Sequence, residues 1–144
     1  MNNMLTPYLN LQGTCEEAMN FYKGVFGGTL EISHFGDFPN APEGYENKVM
    51  HSTLKSDDLM FMASDGMPGG TVTVGDSVNM SLASEDEDKL TNFFNSLAEG
   101  GKITVPLAKQ MWGDTFGMLT DKYGVHWLVN ITAKKDGQVE TSQA

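Results

Sequence analysis

The stretch TCEEAMNFYKGVFGG, residues 14–28, decides the fold, because its apolar residues recur with the spacing of one helix face. Thr14 and Glu17 have the spacing of a capping box, and Gly27 and Gly28 end the pattern. The apolar stripe consists of Ala18, Phe21, Tyr22, Val25 and Phe26. The stretch therefore predicts an amphipathic helix with one buried face.

A similar construction returns in SEDEDKLTNFFNSLAEGG, residues 84–101, with the apolar stripe repeated at a constant offset of 72. Ser84 and Glu87 repeat the capping-box spacing, and Gly100 and Gly101 repeat the ending. The second stripe consists of Leu90, Phe93, Phe94, Leu97 and Ala98. A helix that recurs at a constant offset predicts two copies of one structural unit.

Strand-like segments surround both helices in the same order. The helices follow the alternating segments PYLNLQ and VNMSLA, and precede TLEIS, KVMHSTL and LMFMAS in one case and KITVP, FGMLT and VHWLVN in the other. Each half is therefore a βαβββ module, from about 4 to 66 and from about 76 to 132. We predict an α+β domain over residues 1–134, in which curved antiparallel sheets enclose a concave cavity and the helices lie outside. The polar tail, residues 135–144, is expected to be mobile.

Composition narrows the classes of function. A chain of 144 residues with 40% hydrophobic residues is long enough for one soluble core. The net charge of −10 disfavours nucleic acid and anionic membrane surfaces, and no apolar run reaches the roughly 18 residues of a membrane span. We expect a cytoplasmic protein, and the lone Cys15 excludes an internal disulfide. A helix start can lower a thiol pKa, but a structural role for Cys15 is favoured over a nucleophilic one.

Several segments resemble the PhnB-like branch of the vicinal oxygen chelate superfamily, which includes glyoxalases, bleomycin resistance proteins and dioxygenases. The segments are PYLNLQGTCEEAMNFYKGVFGG, KVMHSTL, LMFMASD and WGDTFGMLTDKYGVHWLVN. The resemblance implies a homodimer, and a divalent metal held by His and Glu side chains on inward-facing strand positions. Relatives are sometimes described as methyltransferases, but no glycine-rich cofactor loop follows the first strand here.

The metal positions that the resemblance implies fall at Thr6 or Pro7, Met62, Asn79 and Leu128. None of them is His or Glu, and thioether or amide groups bind hard divalent ions weakly. The usual metal site is therefore predicted to be absent, and no cofactor is expected. A divalent metal remains an expectation only if the site has been relocated.

A relocated site has three candidate residues. His51 lies in KVMHSTL, Asp65 ends LMFMASD and His126 lies in VHWLVN, and side chains from different modules can converge as ligands or as an acid–base pair. The alternative is that these are satisfied polar residues of a half-buried sheet, as is common for histidine. The third histidine, His34, lies beside a loop.

Strand alternation predicts a set of cavity-facing residues: Tyr8, Asn10, Met60, Met62, Asn79, Ser81 and Leu128. Such a mixture of adaptable methionines and a few polar groups is typical of a pocket for a small molecule, although the methionines are explained equally by core filling. Trp112, in a loop, is predicted either to close over a ligand or to seal a dimer contact. Trp127 alternates with Leu128 and is predicted to pack against the helices.

The sequence favours a protein that binds a small organic molecule in the sheet cavity and forms a homodimer. The alternative is a metal-dependent or acid–base enzyme of the lyase, isomerase or dioxygenase type with a relocated site. A third hypothesis, a purely structural or interaction module, applies if the protein's own side chains fill the cavity.

Overall fold

The computed structural model describes residues 5–134, so the predicted mobile tail at 135–144 lies outside the described residues. Two helices and eight strands follow one another as β1 Tyr8–Asn10, α1 Cys15–Phe26, β2 Thr29–His34, β3 Val49–Lys55, β4 Met60–Ser64, β5 Met80–Ser84, α2 Glu87–Ala98, β6 Lys102–Lys109, β7 Thr115–Thr120 and β8 His126–Ile131. The predicted α+β class and the tandem βαβββ modules are confirmed. Within the described range, neither helix is long and apolar enough to cross a membrane.

The chain divides into two compact units, with the boundary between Val74 and Gly75. The first unit contains the elements from β1 to β4 and the second those from β5 to β8. The strand order in the first unit is β1-β4-β3-β2, and the second unit repeats it as β5-β8-β7-β6. Each unit is therefore one four-stranded sheet with one helix.

One pairing in each sheet differs from the predicted antiparallel arrangement. β1 runs parallel to β4 and β5 runs parallel to β8, whereas the other neighbouring strands are antiparallel. Parallel neighbours need a long connection between them. A helix and two strands separate β1 from β4 in the chain, so that requirement is met, and the sheets are mixed.

The core of the first unit lies between α1 and one face of its sheet. The ring of Phe61, on β4, packs edge-on against Tyr22 at 5.5 Å and Phe26 at 6.3 Å between centroids. Burying an aromatic ring of this size stabilises the fold by about 2–3 kcal/mol. The buried helix face consists of Cys15, Ala18, Met19, Tyr22 and Phe26. The predicted stripe was right at three positions, but Phe21 and Val25 are only partly buried because the centre of the face is rotated toward Met19.

The core of the second unit repeats this arrangement. Trp127 is 1% exposed on β8 and, as predicted, belongs to the core on the helix side of the sheet with Leu90, Phe94 and Leu97 of α2. Gly117, on β7, allows the close approach of α2 to the sheet. A Cβ atom at this position would lie 2.9 Å from Cε1 of Phe94 and 3.0 Å from Cα of Leu107.

The helix starts differ from the predicted capping boxes. The Thr14 hydroxyl donates to the carbonyl of Leu11 at 2.7 Å and does not cap α1. α2 begins at Glu87, and Asp86 is its cap because its carboxylate accepts from the Lys89 amide at 3.1 Å. Ser84 ends β5 instead, where its hydroxyl accepts from the Asp86 amide.

Candidate functional site

The face of the first sheet that points away from α1 carries most of the predicted chemistry of the first unit. We call it the open face, and its side chains are those of Tyr8, Asn10, Thr29, Glu31, Ser33, His51, Thr53, Lys55, Met60, Met62 and Ser64. Alternation explains the set, because Ser52, Leu54, Phe61 and Ala63 are buried on the helix side.

His51 bonds to hydroxyl groups through both of its ring nitrogens. Its Nδ1 lies 3.0 Å from the Tyr8 hydroxyl, and its Nε2 lies 3.2 Å from Oγ1 of Thr53. Tyr8 comes from β1 and His51 from β3, so the phenol reaches across β4, which lies between them. Tyr8 remains 52% exposed. The arrangement is an ordered hydrogen-bonding group on an accessible surface.

The methionines beside this group supply apolar surface. Met62 is in register with Tyr8 on one side and with Thr53 on the other, and Met60 follows on the same face. Both are half-buried. Thioether side chains adapt to irregular apolar shapes. Tyr8, Met60 and Met62 therefore lie together on the open face, as alternation predicts.

Asn10 has a local structural task. Its Oδ1 accepts from the Gln12 amide at 3.1 Å, and its carboxamide lies against Gly66, where a Cβ atom would come within 2.7 Å of Nδ2. Gly66 has φ +86°, which favours glycine independently of that contact. Asn10 thus stabilises the turn after β1, a use that strand alternation does not reveal.

Asp65 does not join His51. Its carboxylate is buried and accepts three backbone amides, from Gly13 at 2.7 Å, Cys15 at 3.0 Å and Val49 at 2.8 Å. These bonds tie the end of β4 to the start of α1 and the start of β3. The carboxylate of Asp65 bonds to backbone on the helix side of the sheet, whereas the imidazole of His51 lies on the open face, so these two are not paired. Convergence of His51, Asp65 and His126 at one relocated site stays a prediction.

His126 is fixed within the second unit. Its Nδ1 lies 2.9 Å from Oγ1 of Thr120, and its Nε2 lies 2.8 Å from the carbonyl oxygen of Gly75. A carbonyl only accepts, so Nε2 carries the proton and the Thr120 hydroxyl donates to Nδ1. His126 is a satisfied structural histidine, which is the alternative that the sequence left open.

The remaining predicted pocket residues belong to the second unit. Ser81 is in register with Leu128 across β5 and β8, and Asn79 is exposed just before β5. Trp112 is 59% exposed, and its ring meets Phe116 edge-on at 6.2 Å. That these residues line a ligand pocket remains a prediction.

A groove of about 840 Å³ lies elsewhere in the second unit, at the start of α2. Its lining consists of Ser84, Glu85, Asp86, Glu87, Asp88, Lys109, Gly113, Thr115, Ile131, Thr132, Ala133 and Lys134. None of the predicted site residues takes part. The acidic run SEDED was the only sequence signal for this groove, and a run of that kind is equally expected at any solvated helix start.

No metal cluster replaces the missing ligands in the part of the chain that the structure describes. Within residues 5–134, no group of three or more His, Cys, Asp or Glu side chains has a geometry that could hold an ion. His34, the remaining histidine, pairs with Glu16 at 2.8 Å on the surface. The implied positions Thr6, Pro7, Met62, Asn79 and Leu128 offer no carboxylate or imidazole. The residues present therefore do not fit the metal that the resemblance implies.

Cys15 is buried at the start of α1, with its sulfur 3.6 Å from the Ser52 hydroxyl. Burial raises the pKa of its thiol to about 11, opposite to the lowering that a helix start alone suggests. Desolvation of the thiolate outweighs the opposing effect of the hydrogen bond between Cys15 and Ser52. Cys15 is accordingly a packing residue and not a nucleophile.

The chain matches known proteins over nearly its whole length. The family model described as 3-demethylubiquinone-9 3-methyltransferase matches residues 3–130. YjdN of Escherichia coli is 30% identical, covering 93% of this chain and 99% of that protein. The uncharacterized protein Rv0887c of Mycobacterium tuberculosis is 28% identical over 85% of this chain and 71% of that protein.

Solved structures also resemble this chain over nearly its whole length. PA1353 of Pseudomonas aeruginosa has a TM-score of 0.81 and 38% identity over 90% of this chain and 97% of that one. A PhnB protein from Bacillus cereus has a TM-score of 0.69 and 31% identity over 88% and 98%. A glyoxalase-related enzyme from Fulvimarina pelagi, 17% identical over 90% and 88% with a TM-score of 0.57, shares the fold. The chain therefore belongs to the family described as 3-demethylubiquinone-9 3-methyltransferase, to which the similar PhnB protein of Bacillus cereus is also assigned by its description.

Proposed function

We propose that this protein binds a small organic molecule on the open face of its first sheet. The observation that carries the proposal is the exposed Tyr8 phenol, held at 3.0 Å by His51 beside Met60 and Met62. Small-molecule sites combine adaptable apolar surface with a few fixed polar groups that orient the ligand. This part of the open face has both.

The hydrogen bonds of this group favour binding over a purely structural role. A structural Tyr–His pair is expected to be shielded, because water competes for exposed hydrogen bonds. Tyr8 is half exposed, and its ring lies tilted at 40° to that of His51 with 5.7 Å between centroids. A ligand that covers Tyr8 would bind to a phenol that is already ordered, so binding would cost little additional side-chain entropy.

Methyl transfer and metal chemistry are not part of the proposal. The segment after β1, LQGT at residues 11–14, holds one glycine and not the glycine-rich loop that would cradle a nucleotide-like cofactor. The positions at which relatives of this superfamily bind a metal carry no suitable donor here. We derive no reaction step from either group.

A fragment screen by protein-observed NMR tests the proposal. We expect binders to shift the backbone amides of Tyr8, Thr53 and Met62, and to lose at least about tenfold in affinity in Tyr8→Ala and Met62→Ala. Met67→Ala is the matched control, because Met67 belongs to the same unit and is 78% exposed in the loop after β4. Binders that ignore both site variants, for example compounds that shift only the groove at the start of α2, would refute the proposal.

We also propose that the protein is a homodimer and acts in the cytoplasm. Met111 and Trp112 form an exposed apolar pair in the β6–β7 loop, and large exposed apolar groups are enriched at protein interfaces. Sedimentation equilibrium should give twice the chain mass of 15.7 kDa. A single sedimenting species with the mass of one chain at micromolar concentration would contradict the dimer.

The cytoplasmic location is supported by Cys15, because a free, buried cysteine fits a reducing compartment.

A further inference from the structure

We propose that the Tyr8–His51 pair selects ligands that carry an anionic oxygen, such as a carboxylate, and that such a ligand binds together with one proton taken up by His51. The inference rests on the proposed function and names the ligand class of the same site. It follows from the proton arrangement of the pair, from the contrast with His126, and from the charges around the open face.

The proton arrangement of this group can be reversed. A neutral imidazole has one N–H and one lone pair, whereas a hydroxyl both donates and accepts. In one arrangement Tyr8 donates to Nδ1 and Nε2 donates to Thr53, so the phenol oxygen offers only lone pairs outward. In the other, Nδ1 donates to Tyr8 and Thr53 donates to Nε2, which leaves the phenol O–H free to point at a ligand.

Protonated His51 enforces the second orientation at Tyr8. Both ring nitrogens then donate, and both neighbouring hydroxyl oxygens, at 3.0 Å and 3.2 Å, can accept. No existing hydrogen bond is broken when the proton arrives. The phenol O–H is left to donate to the ligand, and an anionic oxygen is the strongest acceptor for it.

His126 lacks this freedom, although it also bonds through both nitrogens. The Gly75 carbonyl cannot donate, so the neutral His126 ring has one fixed tautomer. His51 differs in that both of its ring partners are hydroxyls, one of which, that of Tyr8, belongs to an exposed side chain. This difference distinguishes His51, which would respond to a ligand through Tyr8, from His126, which has a structural role.

The charges around His51 indicate where the positive charge must come from. On the open face, Glu31 is in register with Thr53, Ser33 is in register with His51, and Lys55 follows Thr53 along β3. β4 contributes the uncharged Met60 and Met62, and β1 contributes Tyr8. The charges of Glu31 and Lys55 cancel, so the four described strands of this sheet contribute no net charge to the open face.

Binding an anion without a proton would add negative charge to a chain with a net charge of −10. Proton uptake leaves the total charge unchanged. The ligand anion and one proton join the protein: an N–H bond forms on His51, the buffer acid that gave up the proton becomes its conjugate base, and no other covalent bond changes.

Calorimetry with a matched probe pair tests the inference. Benzoate and benzamide have nearly the same shape but differ in charge. We expect benzoate to bind at least about tenfold more tightly than benzamide at about pH 7.5. Benzoate binding should also take up close to one proton, a number obtained by comparing binding enthalpies in buffers of different ionisation enthalpy. Benzoate affinity should increase as the pH falls from about 8 to about 6.

Variants assign the proton. In His51→Gln the uptake and the preference for benzoate should both disappear, and Tyr8→Phe should reduce the preference while the fold is retained. His34→Gln is the control, because His34 is a titratable histidine of the same unit that pairs with Glu16 and not with Tyr8. Circular dichroism of each variant separates loss of binding from loss of folding.

Three results are decisive. If benzamide perturbs the amides of Tyr8 and Met62 as strongly as benzoate does, the anion preference is refuted while the proposed binding function stands. If benzoate binds without proton uptake, or if the uptake persists in His51→Gln, the role of His51 is refuted. If neither these probes nor any fragment binds at the open face, the inference and the proposed function fail together.

Discussion

At the scale of single residues, buried acids organise both units. Asp121 opens the turn DKYG between β7 and β8, and its Oδ1 accepts from the amides of Tyr123 at 2.8 Å and Val125 at 3.0 Å. Its Oδ2 accepts from the indole N–H of Trp127 at 2.8 Å. The stretch DKYGVHWLVN, where a metal-binding glutamate is implied by the family resemblance, thus has an acid that serves the fold.

Asp121→Asn should destabilise the second unit by about 2–4 kcal/mol, because an amide cannot accept on both sides as a carboxylate does. Urea unfolding in a Trp112→Phe background, where Trp127 is the only tryptophan, measures the change in the free energy of unfolding and reports a shift in indole emission. Asp76→Asn, an exposed acid of the same unit, is the control. Equal stabilities of the two variants would contradict this role.

The buried Cys15 thiol predicts a pH-dependent stability. Its pKa is 9.0 when unperturbed and about 11 in the folded protein, so the folded state keeps a proton that the unfolded state loses between these values. The stabilisation is therefore fully present below pH 9.0 and is lost as the pH rises toward about 11.

We expect wild type to lose about 2–3 kcal/mol more than Cys15→Ala over that alkaline range. Denaturant unfolding of both proteins at matched pH values measures the difference, which cancels the titration of tyrosines and lysines. Parallel pH profiles would contradict the buried, protonated thiol.

At the scale of elements, both helices and the position of Thr14 just before α1 were predicted correctly, but the first residue of α2 was not. Both Ser84 and Asp86 are favourable N-caps, and the spacing to Glu87 favoured Ser84. In the structure β5 extends through Ser84, which pairs with Ile131 of β8. Because Ser84 is paired in the strand, it cannot cap the helix, and Asp86 is the cap instead.

Asp86→Ala should destabilise the protein by about 1 kcal/mol, because the Lys89 amide at the start of α2 loses its acceptor. Glu85→Ala removes the same charge one residue earlier and is expected to stay within about 0.5 kcal/mol of wild type. Thermal unfolding of the two variants at the same ionic strength separates capping from charge. A larger effect at Glu85 would show that charge, and not the cap, dominates this terminus.

At the scale of the whole molecule, two copies of one module have acquired different surfaces. On the side of each sheet that points away from its helix, one pair joins the first and last strands: Tyr8–Met62 in the first unit and Ser81–Leu128 in the second. Only the first pair includes a phenol with a histidine partner. The two units share one fold, while the side chains on the sheet faces that point away from the helices differ between them.

Removal of metal ions should leave the protein unchanged. We expect dialysis against EDTA to shift the melting temperature by less than about 1 °C, because a tightly bound ion stabilises the folded state and its loss would be visible. Elemental mass spectrometry on protein purified without nickel affinity resin provides the complementary measurement. Stoichiometric zinc, iron or manganese together with a melting shift would contradict the prediction.

Periodicity along the chain was enough to predict the repeated module, the helices and the side of the sheet on which Trp127 lies, because these follow from local steric rules that act within a few residues. Only the tertiary structure decided which partners the polar groups have. Asp65 binds three amides, Asn10 supports a turn, and His51 meets Tyr8 across an intervening strand. Such pairings join residues far apart in the chain, and a one-dimensional pattern does not specify the distances on which hydrogen bonds depend.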